Sequence, residues 1–337
     1  MIMRYPRWKA GPEDPAGFYH CISRVVDRQF VFQERERERF RNFLTEYAAF
    51  CGVKVLTWCI LSNHFHLLVE VPQKPQQPPP LEELIQRLEH LSGCAMDAAS
   101  LRQFVERLGA PPDDPALEDI RNRLWAQMYD LSQFMKLLKQ RFTQWFNRLH
   151  DRRGTLWEER FRSVWVEPNS PALTTIAAYI DLNPVRAGLV QDPKDYRWCG
   201  YGEAVAGNTL ARQGLAVALG TQLSEVLSEY RKWIYQQGEQ TEGTDDQGNP
   251  LRQGFQKQQV LKVLAEGGQL PPTTYLRLRI RYLTDGALLG SREWVDQVFQ
   301  RHRDRFGPQR TTGARPLRGL AGLGLSCLRD LRLQVTG

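Results

Sequence analysis

The segment Leu61-Ser62-Asn63-His64-Phe65-His66-Leu67-Leu68-Val69-Glu70 sets two imidazoles one residue apart in an otherwise apolar run. Side chains alternate across a strand. His64, His66, Leu68 and Glu70 therefore share one face, and Phe65, Leu67, Val69 and Val71 the other. The second face has the composition of a core face, which leaves the histidine face to meet something else. Two imidazoles on one strand face suit a borderline or hard divalent cation once a further oxygen or nitrogen ligand arrives from another segment. The plainer alternative is that the histidines only hydrogen-bond at the start of a strand. An isolated H-x-H pattern does not separate the two.

The flanking sequence gives this strand its neighbours. Residues 1–17, rich in proline, glycine and charge, read as an arm whose Arg4, Arg7 and Lys9 are either solvated or in contact with phosphate. Phe18 to Val26 has the aromatic and β-branched content of a strand. Phe40, Phe43, Leu44, Tyr47 and Ala48 then recur at helical spacing, with Gly52 just past the helix end. Val53 to Ile60 is a second strand that turns at Leu61-Ser62-Asn63 into the histidine strand. Pro72 to Pro80 holds five prolines and cannot continue a central strand, so 72–125 reads as a largely helical insertion.

Beyond it, Phe134, Leu137, Leu138, Phe142, Trp145, Phe146 and Leu149 form an apolar helical stripe beside Lys136, Lys139, Arg141 and Arg148. Thr155 to Glu167 alternates as a fourth strand. Ser170-Pro171 then supplies an N-cap and a first helical residue. In the helix that follows, Leu173, Ile176, Ala177 and Ile180 define a buried stripe, while Thr175, Tyr179 and Asn183 line a second, polar face. Taken alone, such a tyrosine is most simply an amphipathic surface residue. The resulting order β-α-β-β-α-β-α predicts an α+β fold, a ferredoxin-like antiparallel sheet with packed helices and an added helix.

Composition narrows the function. The 337-residue chain carries a formal charge of +7 and a pI near 9.1, which favours an acidic partner, most commonly nucleic acid. No apolar run reaches membrane-spanning length and the N-terminus lacks the apolar core of a signal peptide, so a cytoplasmic, nucleoid-associated protein is expected. The six cysteines include no C-x-x-C pair, which argues against a zinc knuckle or a disulfide framework.

Four ordered segments carry a specific resemblance: Tyr19-His20-Cys21-Ile22-Ser23-Arg24, then Ser62 to Val69, then Gly154-Thr155-Leu156-Trp157-Glu158-Glu159-Arg160-Phe161, then Tyr179-Ile180-Asp181-Leu182-Asn183-Pro184-Val185-Arg186-Ala187-Gly188-Leu189-Val190 with Tyr196-Arg197-Trp198 behind it. Over roughly 15–205, apart from the insertion, the chain resembles the single-tyrosine HUH transposases, and among them the REP-associated tyrosine transposases. The resemblance implies single-strand DNA cleavage and rejoining on hairpin-forming DNA. It makes His64 and His66 metal ligands, Asn183 a third ligand, Tyr179 the nucleophile, and Mg²⁺ or Mn²⁺ the cofactor. The product would be a 5′-phosphotyrosine and a free 3′-hydroxyl, with no nucleotide cofactor needed, from a monomer or a homodimer. A phenol is a weak nucleophile near neutral pH, so a polarised phosphate or a nearby base is expected to assist. Arg24, Lys136, Lys139, Arg160 and Arg162 are candidate DNA contacts, with Trp157 and Trp165 as candidate stacking residues. Phe142 sits where many relatives carry a tyrosine.

The domain layout expected is an arm over 1–17, a transposase-like domain over 18–205, a helical connector over 206–235, a linker over 236–254, and a helical, basic accessory region over 255–337 that binds DNA. Two other readings compete with transposase activity. One is a protein that keeps the fold and binds hairpin DNA or RNA without cutting it. The other is a histidine-triad hydrolase, against which Leu68 stands where a third histidine would be needed.

Overall fold

The first strand pairs on both sides, and this decides the sheet. In the computed structural model, which describes residues 7–91, 95–109, 114–235, 281–317 and 324–328, β1 (Ala16–Arg24) lies between β3 (His64–Pro72) and β4 (Arg162–Val166), antiparallel to both. β2 (Lys54–Ile60) pairs antiparallel with the outer side of β3. The order β2-β3-β1-β4, with helix α1 (Glu34–Cys51) between β1 and β2 and helix α5 (Leu131–Leu149) before β4, is the ferredoxin-like arrangement expected from the element order. Three helices, α2 (Leu81–Glu89), α3 (Ala95–Leu108) and α4 (Pro115–Trp125), occupy the insertion between β3 and α5. Among the described residues no helix is long and apolar enough to cross a membrane.

α1 starts in a reciprocal capping box between Gln33 and Glu36 and ends at Gly52, whose φ of 67° suits a residue without a Cβ. With α5 it covers the Phe65 face of the sheet. Phe40 meets Phe65 at 4.6 Å between ring centroids, and Phe142 stacks on Phe32 at 5.0 Å. The Phe142 position is thus part of the core. Trp157 and Trp165, expected as stacking platforms for bases, are also buried; the Trp157 indole donates to Thr143 Oγ1 at 2.9 Å.

The fourth strand is shorter than the alternation over Thr155 to Glu167 predicts. Leu156 and Trp157 are consecutive and both buried, which a regular strand does not permit on one face. Residues 154–161 instead cross the end of β1 as a loop, with Val26 N donating to Leu156 O at 3.0 Å and Glu158 N to Arg24 O at 3.0 Å.

The opposite sheet face is covered too. Helix α6 (Pro171–Asp181), a short α7 (Asn183–Arg186), α8 (Gly200–Val205), α9 (Thr209–Leu219) and α10 (Val226–Tyr235) follow β4, and α6 and α9 pack on β2. α9 comes so close that a Cβ on Gly214 would lie 2.4 Å from Leu56 O and 2.6 Å from Val55 O, beside the irregularity in the β2–β3 register between Val55 and Thr57. The residues expected to form a simple connector over 206–235 therefore close one side of the sheet.

The C-terminal region, expected to be mostly helical, also extends the sheet. Helices α11 (Arg281–Asp285) and α12 (Arg292–Arg301) are present, but three short strands accompany them: β5 (Leu288–Ser291), β6 (Arg315–Pro316) and β7 (Leu325–Cys327). β5 pairs parallel with β4, and β7 and β6 continue the same sheet. Trp165 N donates to Ala287 O, and Glu167 accepts from Ser291 N at 2.6 Å. The arm is docked as well. Arg7 donates to Phe161 O at 2.8 Å, and Lys9 pairs with Asp130 at 2.5 Å. Arg4, the expected linker over 236–254 and residues 255–280 of the expected accessory region lie outside the described residues.

Gly214→Ala is expected to destabilise the protein by about 1–3 kcal/mol, the usual range for forcing a methyl into a filled contact. Urea denaturation checks this, and an unchanged midpoint would contradict the close approach of α9 to β2.

Candidate active site

The antiparallel register of β1 and β3 brings a third imidazole to the two predicted ones. Arg24 lies opposite His64, Ile22 opposite His66 and His20 opposite Leu68, so Arg24, His20, His64 and His66 project from the same sheet face. His20 Nδ1 stands 2.7 Å from Leu283 O, and His20 Nε2 stands 2.9 Å from His66 Nδ1. A carbonyl oxygen only accepts, so His20 Nδ1 carries a proton. Both rings are buried. Burial pushes His20 down to about 4, and burial followed by the neighbouring His20, His64, Arg186 and Arg24 pushes His66 well below its usual value. Both rings are therefore neutral. His20 accepts on Nε2, His66 donates from Nδ1, and the lone pair of His66 is left on Nε2. His64 Nδ1 donates to Asn63 Oδ1 at 2.7 Å, so in the neutral ring its lone pair lies on Nε2.

α6 lays Tyr179 against this cluster. The phenol ring is edge-on to both His20 and His66, with centroids 6.1 Å apart in each case. Thr175, Tyr179 and Asn183, expected on a polar surface face, are 0, 2 and 7% exposed. The reason is that α6 is enclosed by β2, β3, β5 and α9, so neither of its faces meets solvent. Pro184 does interrupt the helix as its sequence predicts. α6 ends at Asp181, and Asn183 opens α7. There the Asn183 Nδ2 donates to Tyr179 O and Ile180 O at 3.2 and 3.0 Å, which turns Oδ1 away from the helix as the acceptor of that side chain. The Arg186 guanidinium lies 4.0 Å from the Tyr179 ring centroid and donates to Tyr179 O at 2.6 Å.

What holds α6 in place is Asp181. Its carboxylate accepts from Tyr230 Oη at 2.6 Å, from Thr57 Oγ1 at 2.9 and 3.0 Å, and from Tyr201 N at 3.1 Å. Burial pushes it up to about 7, against the lowering effect of those same donors. One carboxylate thus joins α6 to β2, α8 and α10.

The residues present fit a divalent cation. Two imidazoles from one strand face, with an amide oxygen from the tyrosine helix end, are donor types suited to Mg²⁺ or Mn²⁺ that leave positions for phosphate oxygens. Among the described residues no group of three or more His, Cys, Asp or Glu side chains is placed to hold a metal.

The predicted DNA contacts divide. Lys136 and Arg160 are exposed. Lys139 instead donates to Glu159 O at 3.0 Å beside the Trp157 ring, and burial lowers it to about 8. Arg162 pairs with Glu159 and Asp285 at 2.8 and 2.9 Å. Arg24 stands beside His64 at the strand end. Sequence reasoning gave no role to His20, although its parity in β1 carries the signal. Phe18, His20, Ile22 and Arg24 share a face, and only the strand register shows that this is the face of His66.

Fold and site together describe a ferredoxin-like domain whose two-histidine strand faces a tyrosine helix. Residues 16–97 match the family model described as "Transposase IS200 like", so the resemblance drawn from the motifs holds over β1, α1, β2, β3 and α2. That span includes His20, His64 and His66; Tyr179 and Asn183 lie beyond it. A solved structure described as "Structure of the REP associates tyrosine transposase bound to a REP hairpin" is similar at 14% identity and a TM-score of 0.35, covering 61% of this chain and 87% of that one. A likeness so low says nothing about the site residues. No curated protein matches the chain.

Asp181→Ala strands two hydroxyls and a backbone amide in the interior and is expected to cost on the order of 3 kcal/mol, with Tyr230→Phe costing about 1. Chemical denaturation of the two variants measures this. Equal, small losses would show that the carboxylate does not anchor α6.

Proposed function

We propose that this protein is a metal-dependent transposase that cuts and rejoins single-stranded, hairpin-forming DNA through Tyr179. The observation that carries the reading is the packing of the Tyr179 ring against His66, in a chain whose histidine strand lies within the segment similar to the IS200-like transposases. Mg²⁺ or Mn²⁺, held by His64, His66 and Asn183, would supply the polarisation of the scissile phosphate.

The chain's own residues do the rest. Tyr179 Oη attacks phosphorus and forms the O–P bond as the bond from phosphorus to the 3′-oxygen breaks. The phenolic proton leaves and the departing 3′-oxygen gains one, giving a 5′-phosphotyrosine and a free 3′-hydroxyl. Attack by another 3′-hydroxyl reverses the step and joins a new strand. Because one phosphodiester replaces another, no nucleotide cofactor is consumed. Arg186, whose guanidinium lies 4.0 Å from the phenol ring centroid, places a positive charge beside the reacting tyrosine. Lys136 and Arg160, exposed on α5 and on the loop before β4, contribute to holding the DNA backbone, and Arg24 contributes at the strand end beside His64.

A second reading is a hairpin-binding protein without cleavage. It draws on one observation, the 2% exposure of Tyr179, which leaves a phosphate no open approach to the phenol in this conformation.

Labelled single-stranded hairpins incubated with Mg²⁺ or Mn²⁺ are expected to give a covalent protein–DNA adduct. Tyr179→Phe abolishes it, and His64→Ala or His66→Ala reduces it by at least about 100-fold, from the order of the effects that charge-stabilising groups have on the chemical step. Hairpin binding without an adduct under either metal would support the binding protein and overturn the transposase.

A further inference from the structure

Beside the paired histidines and the tyrosine stands a third imidazole, His20, with the C-terminal region behind it. His20 is fully buried, and both of its ring nitrogens are engaged, Nδ1 with Leu283 O and Nε2 with His66 Nδ1. It is therefore not placed as a metal ligand. Nor is it idle packing, since a buried ring that makes two directional hydrogen bonds to a carbonyl and to another imidazole determines which nitrogen of its neighbour bears the proton.

We infer that His20 is a positioning residue for His66, and that the backbone carbonyl of Leu283, in the C-terminal region, fixes the tautomer through which it acts. Leu283 O accepts from Nδ1–H of His20; His20 Nε2 then accepts from Nδ1–H of His66; His66 Nε2 is left to bind a cation. The inference rests on the metal reading of His64 and His66 given above. Its consequence is that the C-terminal region belongs to the working centre. Leu283 is held there by α11 and β5, which are fastened to β4 through Trp165 N to Ala287 O at 2.9 Å, Glu167 N to Leu289 O at 2.9 Å, the Arg162–Asp285 ion pair, and the Glu167–Ser291 hydrogen bonds at 2.6 and 2.8 Å. β4 is itself paired with β1, the strand that carries His20. A segment more than 200 positions away in the chain thus reaches the His66 ring through one intervening side chain.

Two measurements on the full-length protein test this. The first is long-range ¹H–¹⁵N correlation NMR of metal-free, ¹⁵N-histidine-labelled protein, with His20→Phe and His66→Ala used for assignment. Wild type is expected to carry the His66 proton on Nδ1, and His20→Phe to lose that preference. A wild-type His66 protonated on Nε2 overturns the inference. The second is Mn²⁺ binding by calorimetry. His20→Phe is expected to weaken it by about 10–100-fold, the usual effect of removing an outer-layer partner of a ligating histidine. His20→Gln, whose side-chain oxygen can accept the same hydrogen bond, is expected to retain most of the affinity. Wild-type affinity in His20→Phe, with binding abolished in His66→Ala, overturns the positioning role while leaving the metal site intact. Binding that survives both His64→Ala and His66→Ala overturns the metal reading instead, and the NMR result then decides the tautomer chain by itself.

Discussion

A single buried carboxylate sets where the tyrosine sits. Asp181 gathers hydroxyl donors from Thr57 on β2 and Tyr230 on α10, and a backbone donor from Tyr201 on α8. Leaving such a group unpaired in the interior would cost several kcal/mol. The pairing therefore specifies one position and one rotation of α6 on the sheet. Tyr179 precedes Asp181 by two residues and is turned by that rotation toward His20 and His66. The helix end, with Asn183 folded back on Tyr179 O and Ile180 O, follows from the same placement.

The two sheet faces have different work. The Phe65 face buries an aromatic core against α1 and α5, which gives the sheet rigidity without chemistry. The His66 face buries titratable and polar side chains under α6, where every group needs a partner. The resulting hydrogen-bonded line runs from Leu283 through His20 to His66, and the extension of the sheet by β5 and β7 holds its far end.

Much of this was legible in the sequence because it is local. Strand alternation and helical spacing yield the β-α-β-β-α-β-α order, and two histidines in an apolar strand stand out because imidazoles are rare there. The rest depends on long-range packing. His20 looks like any strand residue until the β1–β3 register puts it beside His66. The Thr175–Tyr179–Asn183 face looks polar and outward until α6 docks on the sheet with Tyr179 against His20 and His66. β5, β6 and β7 span four residues or fewer, too short for alternation to register. Trp157 and Trp165 have the composition of stacking residues, yet both fill the core, since an indole buries more apolar area than almost any other side chain.

The central claim is that β3 and α6 make one catalytic centre with Tyr179 as its nucleophile. Mass-spectrometric peptide mapping after nuclease trimming of a protein–hairpin DNA adduct tests it most directly. The account predicts a residual nucleotide on the peptide containing Tyr179 and on no other tyrosine. A nucleotide on Tyr196, Tyr201 or any other residue, with Tyr179 unmodified, would contradict it.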